Sequence, residues 1–206
     1  MQIAVKAGDR QWEELITCSD KIDWVRVLDE SFFSSNTSAV AFIDLTGSGI
    51  HPVYSTFKVP VFINAVSTTL HSSGAAANIF RINGWPGFLR RDTWEIAGKL
   101  NEQTTKIFSR LNKELVSTAD EPGLISARVI AMIINEAFFA LEDGVSSRQE
   151  IDTAMKSGTN YPYGPFEWGE IIGFEDIYQL LQVLALRDKR YQPAQLLAME
   201  ALKGKK

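Results

Sequence analysis

The chain has 206 residues, 45% of them hydrophobic and 22% charged, enough apolar material for one large domain or two small ones with a real core. A formal net charge of −4 leaves no basic excess to neutralise phosphates, which argues against nucleic acid as a partner; the one dense basic cluster, Lys203, Lys205 and Lys206, reads as a solvated terminus. Cys18 is the single cysteine, so no intrachain disulfide can form. No apolar run reaches membrane-span length and the first residues lack a secretory pattern, so the expectation is a cytoplasmic protein with no membrane partner.

The first half alternates short apolar runs with short helices. Gln2–Lys6 predicts a strand, Arg10–Thr17 a helix, and residues 24–28 a β-branched and aromatic strand ending at Asp29. Ala39–Leu45 and Val59–Ala65 are near-continuous apolar runs, as expected for strands buried on both faces, and residues 78–82 add another. Gly47-Ser48-Gly49 breaks the chain between two of these runs. Residues 94–98 fit a short strand. Asn101–Asn112 fits a helix with Thr105, Phe108 and Leu111 on one side, and Leu115–Thr118 returns to the sheet. This series predicts an α/β domain over residues 1–121, with Pro122-Gly123 at the boundary.

Residues 122–206 read as helical. From Leu124 to Leu141, apolar residues fall at 127, 130, 134, 137 and 141, and Met132, Ile133 and Phe139 add a second stripe. A helix apolar on more than one face is central or lies in an interface. Gly144 stands at its C-terminal end. Ser147 and Glu150 form a capping-box pattern for a helix through Lys156 that Gly158 would stop. Pro165 fits the first turn of a short helix, and Phe174–Leu186 and Pro193–Leu202 complete the series.

Five segments in this half are specific. They are Pro122-Gly123-Leu124-Ile125, Asn135-Glu136-Ala137, Leu141-Glu142-Asp143-Gly144-Val145, the run from Ile151-Asp152-Thr153-Ala154-Met155-Lys156 to Tyr161-Pro162-Tyr163-Gly164-Pro165-Phe166-Glu167, and Arg190-Tyr191-Gln192-Pro193-Ala194. In this order they resemble the helical C-terminal domain of the 3-hydroxyacyl-CoA dehydrogenases. The resemblance implies a shortened, Rossmann-like α/β domain followed by an all-α domain. It also implies a homodimer formed through residues 123–202 and a cleft for an acyl-CoA-like small molecule. The first half resembles the family only in outline. The deficit falls between Asp29 and Ala39 and again between Leu45 and Val59, where a parallel crossover through a helix needs a dozen or more residues.

The family binds NAD through Gly-x-Gly-x-x-Gly after the first strand, where the glycines permit a tight turn, close backbone approach and helix–strand packing. Aligning Ile3-Ala4-Val5 with that strand puts Ala7, Asp9 and Trp12 at the glycine positions. Asp29 lies near the spacing of the ribose-binding acid but reads as an ordinary strand-end carboxylate. No NAD site is expected.

The family's catalytic His, its orienting Glu, and a Ser and an Asn at the substrate oxygen map by the same resemblance onto Asn83, Glu95, Thr68 and Ala127. Ser67 stands one residue from the Ser position. An amide cannot take up a proton near neutral pH, and loss of a positioned base typically costs about 10²–10⁴-fold. His71, three residues after Thr68, could supply a displaced base, and His51 reads as a surface loop residue. Neither histidine has the neighbours of a metal site. Three readings follow: a relative that has lost ordinary dehydrogenation but keeps a ligand cleft, an active dehydrogenase with atypical cofactor contacts, and an interaction dimer with a vestigial cleft.

Overall fold

A computed structural model describes residues 1–31, 38–47 and 49–203. The chain divides into two compact units, Met1–Ile125 and Ser126–Lys206.

The first unit is built on a seven-stranded sheet: β1 (Gln2–Lys6), β2 (Asp23–Arg26), β3 (Ala41–Asp44), β4 (Val61–Asn64), β5 (Ile79–Ile82), β6 (Thr93–Ala97) and β7 (Glu114–Ser117). The spatial order is β2-β1-β3-β4-β5-β6-β7. β1 to β5 run parallel, β6 pairs antiparallel with β5, and β7 runs parallel to β6. The predicted strands all form, with the second, sixth and seventh starting one residue earlier than the sequence suggests. The parallel strands are short and almost wholly buried, which is why they read as continuous apolar runs instead of alternating ones.

Among the described residues the two faces are covered unequally. One carries α1 (Asp9–Ile16) and α3 (Glu102–Leu111), which bury Leu15, Ile107, Phe108 and Leu111 against Ile3, Val5, Ile43, Phe62 and Phe80. Phe108 stands edge-on to Phe62 and Trp94, at 5.0 and 5.7 Å between ring centroids. Burying each such ring stabilises the unit by about 1.5–3 kcal/mol. The inner stripe of α3 is Thr104, Ile107, Phe108 and Leu111; Thr105, expected inside, is exposed. Thr104 goes in because its hydroxyl closes a capping box with Asn101.

On the other face Ala4, Phe42, Val61, Ile63 and Ile79 pack under Tyr54 and neighbouring loops. The β3–β4 connection there contains a 3₁₀ turn, Pro52–Thr56, and the β4–β5 connection one helical turn, α2 (Leu70–Ser73). The β3–β4 connection is the reduced crossover expected between Leu45 and Val59, and the β4–β5 connection is short as well. Part of the deficit after Asp29 lies outside the described residues.

The second unit is all helical: α4 (Ser126–Glu142), α5 (Arg148–Thr159), α6 (Pro165–Ile172), α7 (Phe174–Ala185), a 3₁₀ turn at Lys189–Tyr191 and α8 (Gln195–Lys203). α4 buries Ala127, Ile130, Ala131, Ile134, Asn135, Ala137 and Phe138, while Met132, Ile133 and Phe139 are half-buried. The Asn135 amide donates to Gln192 O and accepts from the Ala194 N–H, both at 2.9 Å, tying α4 to the Arg190–Ala194 segment. α5 runs through Gly158 and stops at Asn160, which takes the left-handed conformation at φ 57°. The sequence expectation of a stop at Gly158 fails because asparagine also serves as a left-handed cap, and Gly158 meets no clash or turn inside the helix.

The Asp152–Glu167 segment is explained by capping. Asp152 is buried, and its carboxylate accepts the Phe166 and Glu167 N–H groups at 2.8 and 3.1 Å, closing the exposed start of α6 from a neighbouring helix. Glu167 reaches back to the Gly164 N–H at 3.0 Å and pairs with Lys156 at 2.5 Å. A Cβ on Gly164 would fall 2.3 Å from Asp152, so only glycine admits that carboxylate.

Candidate functional site

Parallel topology gathers the carboxyl ends of β1 to β5 on one edge of the sheet, and open α/β sheets bind ligands outside that edge, where strand order reverses. Here the reversal lies between β1 and β3, whose last paired residues are Lys6 and Asp44.

Two connections, after β4 and after β5, and the strand β6 carry the sequence candidates. Ser67 and Thr68 lie between β4 and α2, half-buried and exposed respectively, and neither hydroxyl is engaged by another described residue. Thr69, beside them, is taken up as the N-cap of α2, accepting the Ser72 N–H at 3.0 Å. His71 is exposed in the same turn, and its backbone N–H donates to Asp120 at 2.9 Å. Asn83 follows β5 directly; it is buried, and its side-chain oxygen accepts the Trp85 N–H at 3.3 Å. Glu95 lies on β6, half-buried, and accepts the Ile125 N–H at 2.7 Å.

The antiparallel β5–β6 register pairs Arg81 with Ala97 and Ile82 with Ile96. Asn83 and Glu95 are the next residues of the two segments beyond the last of these pairs. Ala127 is fully buried on α4 and offers only a methyl group.

Arg81 is the residue that sequence reading missed. It is fully buried in the middle of β5. Its guanidinium donates to Ala65 O at 2.7 Å, Val66 O at 3.1 Å and Glu121 O at 3.3 Å, and pairs with Asp120 at 2.6 Å. Asp120 also accepts the Leu70 and His71 N–H groups at the start of α2. The pair therefore fixes both ends of the Ser67–Thr68 loop. Burial pulls the Arg81 pKa below its ordinary value even with Asp120 beside it. For Asp120 burial works against the charge, but the two N–H donors and Arg81 outweigh it and hold the carboxyl below the usual range. The signal was present, because a charge inside Ile-Phe-Arg-Ile demands a buried partner.

The first turn after β1 does not fit a dinucleotide. Gly8 caps α1 without a side-chain bond, and Asp9 points outward to Arg26 at 2.6 Å. Trp12 packs partly into the core with the Arg26 guanidinium 5.7 Å from its ring centroid. Pyrophosphate sites rely on exposed backbone N–H groups without a nearby carboxylate; here a carboxylate stands in the turn. Asp29 accepts the Ser31 N–H and hydroxyl at 2.8 and 2.5 Å, acting within its own turn. Cys18 donates to Leu89 O at 3.2 Å, and burial pushes its thiol pKa up, as expected of an inert cysteine. Among the described residues no group of three or more His, Cys, Asp or Glu is placed to hold a metal ion, and no helix is long and apolar enough to cross a membrane.

Comparison with known proteins agrees with this architecture. Residues 123–206 match the 3-hydroxyacyl-CoA dehydrogenase C-terminal domain. The chain is 49% identical over 92 residues to 3-hydroxyadipyl-CoA dehydrogenase of Escherichia coli (strain K12), covering 44% of this chain and 19% of that protein. It is 36% identical over 110 residues to 3-hydroxybutyryl-CoA dehydrogenase of Clostridioides difficile, covering 50% of this chain and 39% of that one. The chain thus spans well under half the length of these curated relatives. The crystal structure of (S)-3-hydroxybutyryl-CoA dehydrogenase from Ralstonia eutropha superposes with a TM-score of 0.71 over 98% of this chain and 94% of that chain, at 16% identity, a likeness of fold alone. A crystal structure of Escherichia coli 3-hydroxybutyryl-CoA dehydrogenase is 34% identical, with a TM-score of 0.59 over 69% of this chain and 31% of that one. Residues 123–206 are thus similar to the 3-hydroxyacyl-CoA dehydrogenase C-terminal domain, and they are preceded by a Rossmann-like sheet.

Proposed function

We propose that this chain binds an acyl-CoA-like small molecule without carrying out ordinary NAD-dependent dehydrogenation, and that it works as a homodimer through residues 123–202. The observation that supports the reading is the amide at Asn83, the residue directly after the last β5–β6 pair, where the family resemblance expects a histidine base with Glu95 as its orienting carboxylate. An amide can hold a substrate oxygen by donating an N–H but cannot accept and release the substrate proton. Ser67 and Thr68, with hydroxyls unengaged by other described residues, supply polar groups in an adjacent loop at the same sheet edge. The relatives' names speak of 3-hydroxyadipyl-CoA and 3-hydroxybutyryl-CoA, which makes a coenzyme A thioester the class of ligand to try.

The dimer is supported by apolar side chains that the helical unit leaves in solvent: Val129 at 53% exposed, Leu186 at 87% and Leu202 at 61%. A monomer by light scattering at micromolar concentration would refute it.

A second reading, an active dehydrogenase with atypical cofactor contacts, rests on the exposed His71 beside Thr68. Thermal shift of the full chain against NAD, coenzyme A and acetoacetyl-CoA separates the two. A ligand held only by the native state raises the midpoint, by about 2.7 kcal/mol of stabilisation at a hundredfold excess over Kd. Acetoacetyl-CoA alone should shift it. A shift with NAD favours the second reading, and no shift at all defeats the ligand reading.

A further inference from the structure

We propose that the crevice at the topological switch point is closed by this chain's own side chains, which take the structural place of a nucleotide and leave the N-terminal unit a sheet that folds without one. The inference concerns the dinucleotide crevice and does not rest on the acyl-CoA reading.

Two sets of contacts close the crevice. The first laces the ends of β1 and β3 together. Lys6, the last residue of β1, donates to Glu30 at 2.6 Å. The Tyr54 hydroxyl donates to Asp44, the last residue of β3, at 2.5 Å, with Glu30 3.5 Å away. The other Asp44 oxygen accepts the Thr46 N–H and hydroxyl at 2.9 and 2.6 Å. Tyr54 is fully buried and Asp44 nearly so, which makes this a filled seam and not a surface ion pair. The second set lies over β3, β4 and β5. The Gln11 amide, on the first turn of α1, donates to Leu45 O and Gly84 O, both at 2.7 Å. Asn64 donates to Leu45 O at 3.2 Å and accepts the Gly84 N–H at 3.0 Å. Gly84 is held so closely that a Cβ there would lie 2.8 Å from Leu45 and 2.9 Å from Asn64.

Of the backbone groups at this edge, Leu45 O, Gly84 O and the Gly84 and Thr46 N–H groups are thus already engaged. Two carboxylates, Glu30 and Asp44, stand against one ammonium, which is the wrong sign for a pyrophosphate. Missing glycines are therefore the lesser obstacle. Restoring them leaves the seam in place.

The test uses the full chain and NADH, with the quenching of its five tryptophans as the binding signal. Wild type and the double variant Ala7→Gly, Asp9→Gly should show no saturable quenching up to millimolar NADH. Tyr54→Phe, which keeps the ring and removes the hydroxyl, should lower the Tm by about 2 °C or more, and NADH should not restore it. If Tyr54→Phe does not fold, Gln11→Ala serves in its place with the same expectation. Saturable NADH binding by wild type or by the glycine double variant overturns the proposal. So does a Tm within about 1 °C of wild type for the seam variant measured.

Discussion

Arg81 donates to three backbone carbonyls and one carboxylate from a fully buried position, so removing it takes a donor from each. Breaking a buried charged pair from one side costs about 3–5 kcal/mol, and Arg81→Met should lose that much in urea denaturation. Arg81→Lys keeps the charge but not the planar fork, and should fall between. The pH dependence follows from Asp120. Its folded pKa is below the ordinary 3.8, so its contribution is fully present above about pH 4 and is lost as pH falls through the lower folded value. Wild type should therefore lose more stability between about pH 4 and pH 2 than Asp120→Asn does, measured by denaturant midpoints. At the carboxyl end of β5, Asn83→His would restore the histidine that the family resemblance expects there. With the crevice closed, acetoacetyl-CoA-dependent oxidation of NADH should still be absent by absorbance. Steady turnover would mean that Asn83 alone silences the chain. Asn83 and Glu95 were legible as positions because their spacing survives in the sequence. Arg81, Gln11 and Tyr54 were not, because each finds its partners far along the chain, where periodicity carries no information.

Among the elements, the α5–α6 pair shows most directly how a sequence pattern becomes structure. Asp152 caps a helix it does not belong to, and Gly164 gives it room. Asp152→Ala should cost about 1–2 kcal/mol by chemical denaturation, the usual loss for a helix cap. Gly164→Ala should cost more, since the added methyl overlaps the carboxylate itself, and an equal or smaller loss would contradict the capping account. Both residues stood out in the sequence, as did Pro165 and the Ser147–Glu150 box, because caps and turns are local and residue-specific. The exit of α5 did not, since Asn160 adopts a left-handed backbone that Gly158 advertised more loudly. The stripe on α3 slipped by one residue for a similar reason: the Thr104 hydroxyl bonds back to Asn101 and is buried, while Thr105 faces water.

Across the whole molecule, the sequence showed two kinds of organisation, and the structure divides into two compact units. Each unit buries apolar side chains of its own, from strands and helices in the first and from helices in the second. Residues 123–206 expressed alone should therefore give a helical circular dichroism spectrum and a cooperative thermal transition. A random-coil spectrum would show that the helical unit cannot stand by itself. The parallel strands were recognisable because burial on both faces leaves only apolar side chains. The antiparallel β5–β6 pairing was not, because direction is set by connection geometry and not by composition.

Among the described residues, the sheet in the first unit has one face covered by α1 and α3 and one covered by a 3₁₀ turn and a single helical turn. Short elements with few neighbours open at low free-energy cost without the rest of the domain unfolding. In deuterated water the amides of residues 52–56 and 70–73 should exchange well before those of α1 and α3, and the order of exchange would map which side of the sheet breathes first.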